Sequence, residues 1–322
     1  MLNLSLSQKI HSHLQQTQRI LIVPHQNPDG DAIGSMSALA EYLLNYLKKE
    51  VDVFCATAIP PNLKFIPHSH LIKTDESLFS QSNLDAIIVV DSGDLRYAGI
   101  HKYIKNHPAK IINIDHHPTN EQFGHFNLVN HRASSAAEVV VDFFKANQIK
   151  LNKNMATALL TGILTDTDNF TNGATTMRAL NIAGELLRSG TNIRQINRWT
   201  LKNNSINTLK LWGVVLNRLE YNPIKDMAYT YLTRIDYQKY ELDEKEVDGI
   251  SNFMNTIGGV KVGLFLKETT DGKIKGSFRT TRDDVDVSAM AKKLNGGGHK
   301  KAAGFTVIGS DIQTVLNQIL TA

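Results

Sequence analysis

The chain has 322 residues, 42% of them apolar, and a formal net charge of +4. This length exceeds what one hydrophobic core usually supports, so two domains are expected, and the weak charge excludes the strongly basic surface of proteins that hold long nucleic acid. The single cysteine, Cys55, excludes an intrachain disulfide, and the absence of a leader pattern or a ~18-residue apolar run predicts a cytoplasmic protein without membrane spans.

Strand-like and helix-like segments alternate along the first part of the chain. RILIV, DAIIVV and KIINI are short β-branched-rich runs that predict buried parallel strands. AIGSMSALAEYLLNYLKK, ASSAAEVVVDFFKAN and MATALLTGILTDT have the apolar spacing of helices. The alternation predicts a doubly wound α/β domain with a mainly parallel sheet over residues 1–190.

The remainder of the chain predicts two further parts. Residues 191–225 show an amphipathic helical pattern and predict a helical linker. Residues 226–322 contain the strand-like runs DMAYTYLT, VKVGLFLKE and KIKGSFRTT. They predict a smaller α/β domain with a mixed sheet.

Four polar segments follow apolar runs in the first predicted domain. They are HQNPDGDAIGS from His25, DSGD from Asp91, DHHP from Asp115 and TDTD from Thr165. Three of them follow predicted strands, and in open α/β sheets ligands bind beyond the carboxyl ends of the strands. The fourth follows a predicted helix. The pattern indicates that all four segments meet in one site.

The side chains of these segments are typical metal ligands. The candidates are His25, Asp29, Asp31, Asp91, His116 or His117, and Asp166. A single Asp after a strand is usually a helix cap, but the joint pattern favours a metal site. Carboxylates and imidazoles without a thiolate favour Mn²⁺, Fe²⁺, Mg²⁺ or Co²⁺ over structural zinc. Two such ions, about 3.5–4 Å apart, would indicate phosphoester hydrolysis.

These four segments, in this order, resemble the DHH phosphoesterase superfamily, which is named for the Asp115–His116–His117 element. GGGHKKAAGF, from Gly296, resembles the glycine-rich motif of the DHH-associated domain. The chain length and the pairing of the two domains resemble the small stand-alone members, the NrnA-type nanoRNases that also act as pAp phosphatases. The resemblance extends from about Gln18 to the last predicted strand.

The resemblance implies a role for each matched residue. One metal would be held by His25, Asp29 and Asp91, and the other by Asp31, Asp91, His116 and Asp166, so that Asp91 bridges them. Asp115 would orient His116, and His117 would face the substrate phosphate or assist proton transfer. Asp168 stands where relatives usually have glycine; it either adds a carboxylate to the site or tolerates a left-handed backbone, and we favour the second interpretation.

The resemblance also implies a substrate-binding role for the C-terminal motif. The backbone N–H groups of Gly296, Gly297 and Gly298 could form a nest for an anion, with positive charge added by His299 and its neighbouring lysines. The alternative is a flexible turn before the strand AAGFTVIG. Arg279 resembles the family's arginine at the end of a preceding strand, where it could hold a phosphate or stack on a base.

The activity that the resemblance implies is Mn²⁺-dependent release of nucleoside monophosphates from very short RNA, together with removal of a phosphate from pAp. Two Mn²⁺ ions are expected, with Mg²⁺, Fe²⁺ or Co²⁺ as alternatives. A cleft between the domains would limit substrate size. The expected partners are short oligoribonucleotides and pAp, without a membrane or long nucleic acid, and the oligomeric state stays open, with a dimer as one alternative.

Other activities are compatible with parts of the pattern. Hydrolysis of cyclic di-AMP or linear pApA is the nearest alternative, because these substrates present similar phosphates and adenines. A RecJ-type exonuclease would need an extended stacking platform for single strands. Inorganic pyrophosphatases of the other DHH branch lack the GGGH motif. A non-catalytic nucleotide-binding regulator would be favoured if ligand positions were missing, and here all are occupied.

Overall fold

The computed structural model describes residues 4–81, 83–105, 107–200, 205–242 and 249–321. The chain forms two compact units, Met1–Asn203 and Asn204–Ala322. The segment 191–225, predicted as a linker, is divided between them: its first helix belongs to the first unit and its second helix to the second unit. Residues 201–204 of that segment lie outside the described residues.

The first unit is built on a parallel sheet of six described strands in the order β3-β2-β1-β4-β5-β6. Its strands are β1 (Arg19–Pro24), β2 (Glu50–Phe54), β3 (Ile72–Lys73), β4 (Ala86–Val90), β5 (Lys110–Asp115) and β6 (Phe126–Val129). Its helices are α1 (Leu4–Gln16), α2 (Gly30–Glu41), α3 (His101–Ile104), α4 (Ala136–Ala146), α5 (Lys153–Asp166), α6 (Met177–Arg188) and α7 (Ile193–Thr200). This confirms the predicted doubly wound α/β fold.

Both faces of this sheet are buried, as the continuous apolar runs predict. Along β1, Ile20 and Ile22 pack into the core formed with α2, α4 and α5, whereas Leu21 and Val23 pack into a second core on the opposite face. Successive side chains of a strand point to opposite faces, and each fully buried aliphatic side chain stabilises the fold by about 1.5–3 kcal/mol. The sheet is therefore a rigid support for the loops at its edge.

The second unit contains a mixed sheet, which also agrees with the sequence. Its described strands follow the order β11-β12-β10-β9-β8-β7, with β8 and β9 parallel and the other pairs antiparallel. The strands are β7 (Glu220–Asn222), β8 (Met227–Leu232), β9 (Val262–Glu268), β10 (Ile274–Arg279), β11 (Gly297–Gly298) and β12 (Ala302–Val307). The helices are α8 (Ile206–Asn217), α9 (Arg234–Lys239), α10 (Ile250–Phe253), α11 (Val287–Lys292) and α12 (Ile312–Thr321).

None of the helices in the described parts of the chain is long and apolar enough to cross a membrane.

Candidate metal centre

The strand order of the first sheet reverses between β1 and β4, and the polar segments gather beyond this point. The loop after β1 carries His25 and Asp29, and Asp31 follows at the start of α2. Asp29 is the N-cap of α2, and its Oδ1 accepts hydrogen bonds from the backbone N–H of Asp31 at 2.9 Å and of Ala32 at 3.0 Å. The cap fixes the start of α2 and so places Asp31 in its first turn.

Asp31 is fully buried and is held by a helix from a distant part of the sequence. Its Oδ2 accepts the Ala136 N–H at 2.5 Å, and its Oδ1 accepts the Ala137 N–H at 2.9 Å. Both donors belong to the first turn of α4, where unpaired N–H groups and the helix dipole favour negative charge. Hydrogen bonds to a charged group stabilise by about 1.5–3 kcal/mol each, so the Asp31 side chain is held in a fixed orientation.

Asp91, directly after β4, lies between two histidines. It is 2% exposed, and its backbone is left-handed with φ = 53°, a conformation that is uncommon for a non-glycine residue and that tends to occur at functional sites. Its Oδ2 lies 3.5 Å from His25 Nε2, and its Oδ1 lies 3.6 Å from His116 Nε2. The two oxygens of one carboxylate therefore face two different groups.

The contacts of Asp115 differ from the prediction. Asp115 Oδ1 accepts a hydrogen bond from His117 Nδ1 at 2.7 Å, and its Oδ2 accepts one from Asn120 Nδ2 at 2.6 Å. The prediction that Asp115 orients His116 was wrong, because both oxygens of the Asp115 carboxylate are engaged by other side chains, His117 and Asn120. His116 Nε2 instead lies 3.3 Å from Asp166 Oδ2, at the end of α5.

The donor atoms form three overlapping groups, and within each group all of them lie within 4.8 Å of one another. The groups are His25, Asp29 and Asp91; Asp31, His116 and Asp166; and Asp91, Asp115, His116 and His117. Asp91 Oδ1 is buried without a hydrogen-bond donor in the described residues. A buried carboxylate oxygen without a donor is costly, and a divalent cation would satisfy it, so these residues could hold metal ions.

The electrostatics of the cluster indicate an excess of negative charge. Burial, followed by repulsion from Asp91, raises the pKa values of Asp31 and Asp166 well above the usual range of an Asp. Burial alone would lower the pKa of His25, but its contacts with Asp29 and Asp91 outweigh burial and raise that pKa to about 12. Without metal the carboxylates thus take up protons or share a charged imidazole, as expected where cations are missing.

His117 has a separate environment on the rim of this cluster. Burial opposes its protonation, yet the hydrogen bond with Asp115 and the nearby carboxylates raise the pKa of His117 to about 9. Burial also opposes ionisation of Asp115, but the contact with His117 lowers the pKa of that carboxyl. The pair therefore carries a proton on the imidazole at neutral pH, which makes His117 a hydrogen-bond donor.

Close packing of α2 against α5 brings the first and fourth polar segments together. A Cβ on Gly34 would lie 2.4 Å from the carbonyl oxygen of Ala158, and a Cβ on Gly162 would lie 2.6 Å from Asp31 Oδ1. Side chains at these positions would force the helices apart. Gly34 lies within α2, and its lack of a side chain allows close contact between the two helices.

Asp168 lies in a left-handed turn beside Asp166. The backbone is left-handed over three consecutive residues, with φ of 48° at Asp168, 55° at Asn169 and 66° at Phe170. Asp168 is exposed and belongs to none of the three donor groups found among the described residues. The structure therefore favours the interpretation that Asp168 tolerates the left-handed backbone.

The candidate substrate-binding residues belong to the second unit. Arg279 ends β10; it is half-buried, and its Nη1 donates to the carbonyl oxygen of Phe278 at 3.0 Å. Burial lowers the pKa of Arg279, and no carboxylate pairs with it within the described residues. An anionic ligand would supply that missing charge.

The glycine run forms part of the sheet and is not a flexible turn. Gly297 and Gly298 make the short strand β11, which pairs with Gly304 and Ala303 of β12, and exposed His299 begins the connecting turn. A Cβ on Gly296 would lie 2.2 Å from the Gly304 carbonyl oxygen, while one on Gly297 would contact nothing within 4 Å. Gly296 therefore permits close strand packing, whereas Gly297 is exposed with open space beside it.

Two side chains at this site were not identified from the sequence. Tyr97 stacks on the ring of His25, and Asn120 bridges Asp115 to the Ser92 carbonyl oxygen. Asn120 follows the DHH segment closely, but neither spacing nor periodicity distinguishes it from an ordinary turn residue. The Tyr97 contact depends on the folding of two separate loops.

Comparison with known proteins agrees with this geometry. Residues 19–163 match the model of the DHH family, N-terminal domain, and residues 225–322 match that of the DHHA1 domain. The chain is 31% identical over 310 residues to the bifunctional oligoribonuclease and PAP phosphatase NrnA of Thermus thermophilus, covering 94% of this chain and 88% of that protein. It is 27% identical over 295 residues to the Bacillus subtilis protein of the same name, covering 91% and 90%.

A solved structure has the same fold over the whole chain. It is an exopolyphosphatase-related protein from Bacteroides fragilis, with a TM-score of 0.92, 27% sequence identity, and coverage of 100% of this chain and 97% of that chain. The reaction class is phosphoester hydrolysis. It is identified by the domain matches, by the Thermus thermophilus relative and by the cluster of acidic residues and histidines. The chain belongs to the DHH family of phosphoesterases and carries the family's DHHA1 domain.

Proposed function

We propose that this phosphoesterase uses two divalent cations, with Mn²⁺ preferred, to hydrolyse very short RNA to nucleoside monophosphates and to remove a phosphate from pAp. The observation that carries the proposal is the position of Asp91, whose two oxygens face His25 on one side and His116 on the other. A carboxylate in this position is suited to act as a ligand shared between two ions. The names of the Thermus thermophilus and Bacillus subtilis relatives supply the substrate class.

In this proposal each ion has its own set of ligands. His25 and Asp29 would hold one ion, Asp31, His116 and Asp166 would hold the other, and Asp91 would contact both. Two bound cations would lower the pKa of a water and stabilise negative charge on the reacting phosphate. The α4 N-terminus keeps Asp31 oriented, so this ligand of the second set is in place before an ion binds.

The remaining residues would act on the substrate. His117, whose Nδ1 is hydrogen-bonded to Asp115, would contact a phosphate oxygen of the substrate or assist proton transfer. In the second unit, Arg279, His299 and the backbone of Gly296, Gly297 and Gly298 would bind a nucleotide. Arg279 is suited to this role because its half-buried guanidinium lacks a carboxylate partner in the described part of the chain.

Product analysis tests this proposal. The protein is incubated with Mn²⁺ and, separately, with a 5′-phosphorylated diribonucleotide, pAp and cyclic di-AMP, and the products are followed by chromatography. Rapid release of mononucleotide from the linear dinucleotide, with slow cyclic hydrolysis, is the expected result. The reverse ranking would make the protein a cyclic dinucleotide phosphodiesterase, and binding without turnover would make it a nucleotide-binding regulator.

The choice of metal is tested in the same assay. After removal of metal with EDTA, turnover should return on addition of Mn²⁺, and the rates with Mg²⁺, Fe²⁺ and Co²⁺ rank the alternatives. Full activity in EDTA would contradict the metal-dependent mechanism.

A further inference from the structure

Tyr97 lies against His25 at the edge of the metal centre. The two ring centroids are 4.7 Å apart and the ring planes differ by 18°, so the rings are stacked. Tyr97 is 44% exposed, whereas His25 is 3% exposed. The tyrosine ring therefore covers one face of the imidazole and separates it from solvent.

The hydrogen bond made by the His25 ring does not prevent the ring from rotating, and stacking on Tyr97 restricts that rotation. His25 Nδ1 lies 2.8 Å from the Gln26 carbonyl oxygen, which can only accept, so Nδ1 carries the hydrogen and Nε2 is left for a metal. Nε2 points towards Asp91 Oδ2 at 3.5 Å and Asp29 Oδ1 at 3.8 Å. One hydrogen bond fixes the tautomer but permits rotation of the ring, and the flat contact with Tyr97 restricts that rotation.

Local structure holds Tyr97 in this position. Asp94 Oδ1 accepts the backbone N–H groups of Arg96 and Tyr97, each at 2.7 Å. The Tyr97 carbonyl oxygen accepts the Gln26 N–H at 3.1 Å, which joins the loop after β4 to the loop after β1. The turn ends at Gly99, where φ is +75° and a Cβ would lie 2.7 Å from Ala56 Cβ. The tyrosine is thus fixed from both loops.

We infer that Tyr97 is a positioning residue that orients His25 by stacking and thereby sets the affinity of the metal ion held by His25, Asp29 and Asp91. The inference rests on the proposed two-metal function and adds a residue that contacts neither the ion nor the substrate. Partners of metal-ligating histidines change metal affinity by about 10- to 100-fold when they are removed. A stack without a hydrogen bond should act at the lower end of this range.

Direct measurement of metal binding tests this role without relying on turnover. Metal-free protein is titrated with Mn²⁺, and free Mn²⁺ is measured by electron paramagnetic resonance. In Tyr97→Leu, one of the two binding steps should weaken about tenfold, whereas Tyr97→Phe, which keeps the ring, should stay within about twofold of the wild type. Equal Mn²⁺ binding by Tyr97→Leu and the wild type would overturn the inference, as would equal weakening in both variants.

Tyr46→Leu is the matched control. Tyr46 is 43% exposed and lies in the same unit, and its hydroxyl donates to the Lys150 carbonyl oxygen, away from the metal centre. Its replacement removes a comparable ring and should leave both Mn²⁺ binding steps unchanged. Thermal unfolding in EDTA shows whether each variant is folded.

Turnover at two Mn²⁺ concentrations separates positioning from substrate contact. If Tyr97 acts through His25, the Tyr97→Leu variant should lose turnover at limiting Mn²⁺ and regain it at saturating Mn²⁺. Unchanged Mn²⁺ binding together with a higher KM at saturating Mn²⁺ would mean that the ring contacts substrate, which overturns the inference. Failure of the wild type to cleave any tested phosphoester would contradict the proposed function, while the Mn²⁺ titration would still test Tyr97.

Discussion

Asp91 combines three properties that are rarely found together in a structural residue. It is buried, its backbone is left-handed, and its Oδ1 has no hydrogen-bond donor within the described residues. Each of these features is unfavourable for folding. They are explained if the residue is retained for metal binding.

The first prediction concerns Asp91→Asn. The amide keeps the shape but loses the charge shared by both ion sites, so kcat/KM should fall about a thousandfold or more and at least one Mn²⁺ should be lost. Steady-state kinetics and Mn²⁺ titration measure the two effects. Asp75→Asn, at an exposed helix cap where Asn can replace Asp, is the control. Retained turnover in Asp91→Asn would refute the mechanism.

The second prediction concerns Asp168, whose φ is +48°. Glycine adopts this conformation without the steric cost that an L-residue meets, so Asp168→Gly should raise the free energy of unfolding by about 0.5–1 kcal/mol and change kcat less than twofold. Asp168→Val should be destabilising, because a β-branched residue is strained there. Urea unfolding and kinetics provide the measurements. A large loss of kcat in Asp168→Gly would restore the interpretation that this carboxylate serves the site.

At the scale of elements, the site depends on how helices approach one another. The N-terminus of α4 holds Asp31, and the contact between α2 and α5 places Asp31 beside Asp166. Gly162 lies at the centre of this arrangement, because a Cβ there would lie 2.6 Å from Asp31 Oδ1 and 2.7 Å from Ala137 Cβ.

The third prediction is that Gly162→Ala impairs both folding and metal binding. The added methyl group has no space, so the free energy of unfolding should fall by about 1–3 kcal/mol, and Mn²⁺ affinity should decrease as Asp31 moves. Gly184→Ala in α6 is the matched control, because its Cβ would contact nothing within 4 Å and should stabilise the helix by about 0.5–1 kcal/mol. Equal effects of the two substitutions on unfolding in urea would argue against the packing explanation.

At the scale of the whole molecule, the acidic residues and histidines of the metal centre couple metal binding and pH to the stability of the fold. Asp31 and Asp166 have raised pKa values in the folded protein, and those of His25 and His117 are raised to about 12 and about 9. Each of these groups binds protons more tightly in the folded state than in the unfolded state. Their contribution to stability is complete at acidic pH and is lost as pH rises through the folded-state values.

The fourth prediction follows from this loss of stability with rising pH. Between pH 5.5 and 8.5, the metal-free protein should become less stable, and saturating Mn²⁺ should raise Tm more at pH 8.5 than at pH 5.5. Binding at about 100 times Kd contributes about 2.7 kcal/mol per ion, which corresponds to an increase of roughly 5–10 °C for each ion. Differential scanning calorimetry with EDTA or Mn²⁺ makes the comparison. In Asp166→Asn, the Mn²⁺-induced increases in Tm at the two pH values should differ less than in the wild type. An increase in Tm that is the same at both pH values in the wild type would contradict this account.

The sequence by itself determined the fold class and the candidate residues. Buried parallel strands require continuous apolar runs, and the polar segments after β1, β4 and β5 had to lie at one edge of the sheet because parallel strands end together. These features are local in sequence, and they placed His25, Asp91 and His116 in one region. The glycine run before β12 was also visible, but its pairing in a strand was not.

Only the tertiary structure decided which atoms meet. Asp31 accepts hydrogen bonds from residues 105 and 106 positions away in the chain, Asp115 accepts a hydrogen bond from the ring of His117 where His116 was predicted, and Tyr97 covers His25 from another loop. Hydrogen bonding and stacking require distances of a few ångströms between specific atoms, and residue type and spacing do not fix such distances. The sequence thus determined the chemical components of the site, and packing decided their arrangement.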